Sequence, residues 1–72
     1  MKNRIAELRK ERQMTQKDLA NVLNVSRQTI ISLENGRYNP SILLAHHIAK
    51  TFQQTIEDVF ILKKETTLRR NK

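Results

Sequence analysis

The 72 residues suffice for one domain at most, and a chain this short buries only about 60% of the surface its unfolded form exposes. With no cysteine, neither disulfides nor thiolate-bound zinc can brace the core, so the fold must rest on packing, within the chain or shared with a second copy of it. The formal net charge of +7 suits a nucleic-acid partner, while no apolar run approaches the ~18 residues of a membrane span.

Glycine and proline occur once each, and the apolar residues recur at helical spacing rather than alternating. Ile5 and Leu8 share a face with Arg9 and Arg12, which predicts a first helix over roughly residues 3–12. Thr15 stands three residues before Asp18, a capping-box pattern, and opens a second helix with Leu19, Ala20 and Leu23 inward. Asn24 ends it, because asparagine tolerates the left-handed backbone better than any residue but glycine. Ser26 caps a third helix whose buried stripe is Ile30 and Leu33, and Asn35-Gly36 closes that helix. After the loop RYNP, Ser41 caps a fourth helix with Ala45, Ile48, Ala49 and Phe52 on one face. Thr55 with Asp58 opens a short fifth helix containing Ile56, Val59 and Phe60. So many helices in so short a chain leave only brief connections, which predicts a compact all-α bundle.

Residues 15–36, TQKDLANVLNVSRQTIISLENG, are the informative stretch. Two short capped helices are joined by a tight turn around Asn24 and Val25. Val25 is apolar inside that turn and plugs the angle between the helices, and Ala20 is small where they must approach closely. These are the demands of a helix-turn-helix. The segment resembles the helix-turn-helix of the Cro/cI-type phage repressors and the wider xenobiotic-response-element family. The resemblance rests on Gln16, Ala20, the run V-S-R-Q-T-I at 25–30, L-E-N-G at 33–36 and N-P-S at 39–41. It continues through I-A-K at 48–50 and I-E-D-V-F at 56–60.

The resemblance implies a five-helix, lambda-repressor-like DNA-binding domain over residues 1–62, followed by a short basic extension over 63–72. It implies double-stranded DNA as partner and a short single-domain repressor as function. Two positions depart from many relatives, Gln13 and Asn24, where glycine is common in the turns. A positive φ at Gln13 would cost about 1 kcal/mol.

In this architecture the N-terminal part of the third helix faces base edges. Its exposed positions are Arg27, Gln28 and, one turn later, Ser32. Arginine can bond a guanine through O6 and N7, and glutamine an adenine through N6 and N7. Thr29 and Ile31 are further candidates; Ile31 suits a thymine methyl or is an incidental surface residue. Candidate phosphate contacts are Gln16, where helix-start amides favour an anion, with Lys17 and Ser26. The resemblance adds that Gln16 braces residue 27, and that Asn35, Arg37 and Tyr38 form a second backbone clamp. It also implies a partly buried Arg9–Glu34 ion pair of structural purpose.

His46 and His47 are adjacent and point about 100° apart on a helix, so they cannot chelate one metal as an i, i+4 pair would. Glu57 and Asp58 are accounted for by a helix N-terminus. No Ser-His-Asp set or glycine-rich phosphate loop is present, so no enzyme, metal or cofactor is expected. The charged start, MKNRIAELRKERQ, has no apolar signal region, and a cytoplasmic protein without membrane contact is expected.

Residues 63–72, KKETTLRRNK, carry five Lys/Arg against one acid and hold more than half of the net charge. They suit a basic arm on phosphates or a solvated, solubilising end. Residues 59–62, VFIL, form a dense apolar run. Phe60 is expected to turn toward the core, and Phe60, Ile61 and Leu62 are the candidates for a homodimer interface, as a short strand or extended arm. The alternative is that the run folds back over the first or fifth helix. Three functional readings follow: a sequence-specific regulator at an operator, an antitoxin-like or restriction-controller protein with a further protein partner, and an interaction adaptor. Arg27 beside Gln28 argues against the adaptor.

Overall fold

The computed structural model describes residues 2–61, so Leu62 and the basic extension lie outside the described residues. Five helices follow in order: α1 (Ile5–Glu11), α2 (Gln16–Leu23), α3 (Arg27–Glu34), α4 (Ile42–Thr51) and α5 (Ile56–Val59). Each start after the first has the expected hydroxyl cap. Thr15 and Asp18 bond reciprocally, Asp18 N to Thr15 Oγ1 at 3.0 Å and Thr15 N to Asp18 Oδ2 at 2.9 Å. Thr55 and Asp58 repeat the arrangement at α5, while Ser26 and Ser41 accept from Thr29 N and Leu44 N. These bonds satisfy amides that have no partner inside the helix.

The ends of α1 to α4 share one device. In each, a residue with positive φ turns the chain, its own N–H bonds back three residues, and the next N–H bonds back five. The turning residues are Gln13, Asn24, Gly36 and Gln53, with φ of 56°, 59°, 75° and 57°. Their following amides, on Met14, Val25, Arg37 and Gln54, donate to the carbonyls of Arg9, Ala20, Ser32 and Ala49. This is the Schellman closure. Gln13 thus adopts the left-handed backbone without glycine's freedom, and so does Gln53, which sequence reading did not foresee.

α1 packs on α3, α2 on α3 and α4, and α4 on α5. Their shared core holds Ile5, Leu8, Leu19, Ala20, Ile30, Leu33, Ala45, Ile48, Ala49, Phe52, Val59 and Phe60. Leu23 and Val25 pack against it half-buried. At the edge, Arg12 donates to the Phe52 carbonyl at 2.7 Å and sits 5.3 Å from the centre of its ring, joining the ends of α1 and α4.

α1 begins two residues later than the spacing predicts, because residues 2–4 pair with residues 59–61 instead. Arg4 N donates to Val59 O at 2.7 Å, Ile61 N donates to Lys2 O at 2.8 Å, and Asn3 faces Phe60 in an antiparallel bridge. Of the two readings of the 59–62 run, this pairing favours the one in which it folds back on its own domain, with Phe60 turned inward as expected. Phe60 is 2% exposed and lies in its own domain's core, so it offers no surface to a second copy. Ile61 is half exposed, but its backbone is already paired within the chain. Among the described residues, the most exposed large apolar ones are Ile42 and Leu43, in the first turn of α4.

Candidate nucleic-acid interface

The geometry of α3 follows from what holds each of its faces. On the inner side, Ile30 and Leu33 are fully buried. Glu34, one turn beyond Ile30, meets Arg9 from α1: Arg9 Nε donates to Oε2 at 2.7 Å and Arg9 Nη2 to Oε1 at 3.3 Å. Both side chains are about nine-tenths buried, and Arg9 Nη1 also donates to Met14 O at 2.9 Å. A forked guanidinium–carboxylate pair of this kind fixes orientation as well as charge. Gln16 Nε2 adds a third donor to Glu34 at 3.1 Å, so α1, α2 and α3 converge on one carboxylate.

That last bond departs from the expectation for Gln16. Its side chain braces Glu34, at the far end of α3, rather than Arg27. One amide proton is thereby used within the fold.

On the outer side, Arg27 and Gln28 are exposed, and no side-chain hydrogen bond or ion pair among the described residues engages either. Ser32 is half-buried. Thr29 is half-buried and its hydroxyl lies 2.9 Å from that of Ser26, whose oxygen also accepts the Thr29 amide. These two hydroxyls therefore serve the helix cap first. Ile31 is half-buried rather than exposed.

Gly36 decides where the following loop goes. Its left-handed turn returns the chain beside α3, with Arg37 N held to Ser32 O at 3.0 Å. Ser26, Gln28, Thr29, Ser32, Arg37 and Tyr38 consequently line one concave surface. Arg37 and Tyr38 are exposed along it, Asn35 is exposed at the end of α3 on a separate groove with Lys2, Asn3 and Ile61, and Lys17 is exposed at the start of α2. At that start, the Thr15 backbone N–H, and then its hydroxyl, hold the Asp18 carboxylate below the ordinary value of 3.8. An acid held in its charged form there complements the positive end of the helix.

Sequence reasoning did not find Asn3. Its Nδ2 donates to Leu33 O at 2.8 Å, in the last turn of α3, and its Oδ1 accepts from Ile5 N at 3.1 Å. The signal available was an asparagine just ahead of a helix start, a familiar capping position. Nothing local announced its reach to residue 33. Among the described residues no helix is long and apolar enough to cross a membrane.

The helix-turn-helix family model matches residues 5–59. An HTH-type transcriptional regulator of Methanothermobacter thermautotrophicus is 52% identical over 66 residues, which cover 90% of this chain and 96% of that relative. One from Bacillus subtilis is 45% identical over 65 residues, covering 90% and 98%. An immunity repressor protein of Bacillus phage phi105 is 44% identical over 46 residues, covering 64% of this chain and 32% of that protein.

Proposed function

Because the chain belongs to the helix-turn-helix family of transcriptional regulators, we propose that it binds double-stranded DNA sequence-specifically, docks α3 in the major groove, and represses transcription as a homodimer. Arg27 and Gln28 read base edges, with Ser32 one turn further along and Thr29 and Ile31 at the margin. Gln16, Lys17, Ser26, Asn35, Arg37 and Tyr38 meet phosphates and set the register without reading sequence. The observation that carries this reading is the outer face of α3, where an arginine and a glutamine stand exposed and unengaged beside the concavity lined by Arg37 and Tyr38. Repression is supported by the similarity to a phage immunity repressor.

A two-fold dimer places two copies of α3 about 34 Å apart, one turn of DNA, on a near-palindromic operator. Selection from a pool of random duplexes tests this. The expected winner is one inverted repeat whose half-site centres are spaced by a helical turn. A pool that returns no preferred sequence, with binding that collapses as salt rises, removes the proposal. Sedimentation at micromolar protein should give twice the chain mass.

A further inference from the structure

Two copies of a chain with a formal net charge of +7 repel one another, so a face on which they meet must keep like charges apart. Lys, Arg, Asp and Glu make up 29% of this sequence, yet the run YNPSILLAHHIA at 38–49 contains none of the four and is the longest such run in the chain. It spans the loop after α3 and most of α4. Ala45, Ile48 and Ala49 turn its inner side into the core, while Ile42 and Leu43 stand 84% and 64% exposed in the first turn of α4. That turn is held firmly: Ser41 Oγ accepts from Leu44 N at 3.1 Å and Ser41 O from Ala45 N at 2.9 Å. Two large apolar side chains are thus fixed in water, where they forgo the stabilisation that burial brings.

Charge selects the occupant of this surface. An acidic partner would be met by the lysines and arginines, whereas an uncharged apolar face suits an identical, equally basic chain, as the charge-depleted centres of homodimer interfaces do. Place agrees with charge. Ile42 follows Tyr38 by four residues, so its Cα lies within about 14 Å of that residue's. A second copy seated there is close enough to the loop of Arg37 and Tyr38 for both copies to share one duplex.

We propose that the first turn of α4 is the face on which two copies of this chain meet. Ile42 and Leu43 of one copy pack on the same two residues of the other about a two-fold axis. The inference gives a surface to the homodimer of the proposed function and rests on that homodimer.

Sedimentation at micromolar protein, without DNA, compares the full parent chain with Leu43→Glu, Ile61→Glu and Ile42→Ala/Leu43→Ala. The two glutamate variants carry the same change of charge, and Ile61 is half exposed but lies away from α4, beside Lys2 and Asn3. Folding is safeguarded in both position-43 variants. The first turn of α4 has no acid, and a carboxylate there favours the helix start, while alanine is the strongest helix former. The parent and Ile61→Glu should show twice the chain mass. Leu43→Glu should show the single mass, its dissociation constant raised on the order of 100-fold or more, and the alanine pair should weaken the dimer at least about tenfold. Helical circular dichroism should match the parent's throughout; should Leu43→Glu lose it, the alanine pair decides.

A dimer that the alanine pair leaves unweakened overturns the inference, as does one that Ile61→Glu disrupts as strongly as Leu43→Glu. If the parent is a dimer on an inverted repeat and position 43 is indifferent, only this inference fails. A parent that sediments as a monomer removes the homodimer and this face together, and gives the patch to a different protein. A parent that dimerises but selects no sequence fails the operator reading, and the face is then judged on mass alone.

Discussion

The two faces of α3 use the same eight residues to opposite ends. Toward the core, Ile30 and Leu33 are buried by apolar packing, and Glu34 and Leu33 are tied to three other segments by the Arg9 fork, the Gln16 bond and the Asn3 bond to Leu33 O. Toward solvent, Arg27 and Gln28 are engaged with nothing among the described residues. A helix this short has little stability of its own, so it is the inner face that holds it in place; on the proposed reading, that rigidity sets the register of the outer face. The contrast teaches that loss of binding in a mutant of α3 has two causes, which a melting curve separates.

The inner face should break most sharply at Glu34. In Glu34→Ala, Arg9 is left buried without its carboxylate, and unpaired charges of this kind cost about 3–5 kcal/mol. Thermal melting should show a large fall, with loss of DNA binding following from unfolding; an unchanged melting temperature refutes the structural assignment.

A smaller effect of opposite sign is expected where helix ends are strained. Gln13→Gly, and independently Gln53→Gly, relieves a left-handed backbone that glycine adopts freely. Each should stabilise by up to about 1 kcal/mol, or roughly 4–8 °C for a domain this small, and leave DNA affinity alone. A fall in melting temperature would mean that the glutamine side chains contribute more than the backbone loses.

The smallest effect is the acid dependence of the α2 cap. Since the folded Asp18 carboxylate titrates below the ordinary 3.8, its contribution is present above that value and is lost as pH falls through the lower folded one. The stability gap between the parent and Asp18→Asn should be constant near neutrality and close in acid. A gap that persists in acid assigns the effect to something other than charge.

Much of this fold is legible in the residues because the caps are local. Thr15, Ser26, Ser41 and Thr55 each mark a start by bonding an amide three residues away, and Asn24 and Gly36 are types suited to a left-handed turn. Gln53 carries no such mark, since glutamine has no special tolerance for positive φ; only its place between a helix and a following Thr-x-x-Asp box, shared with Gln13, hints at the turn. The pairing of residues 2–4 with 59–61 is illegible for a different reason. It joins segments more than fifty residues apart, and no periodicity within either announces the other. Phe60's place in the core was itself legible from the apolar run; the pairing beside it was not. The exposure of Arg27 and Gln28 was legible from their position on the third helix, whereas the partner of Gln16 depended on how α1, α2 and α3 converge.

The central claim is that Arg27 is free within the fold because its partner is a base. Affinity of the parent and of Arg27→Ala should be measured on the selected duplex and on duplexes altered at one base pair at a time, alongside their melting temperatures. The account predicts equal melting and a loss of about 1–3 kcal/mol on the selected duplex. It also predicts one base-pair position at which the variant no longer discriminates. Undiminished discrimination at every position contradicts it.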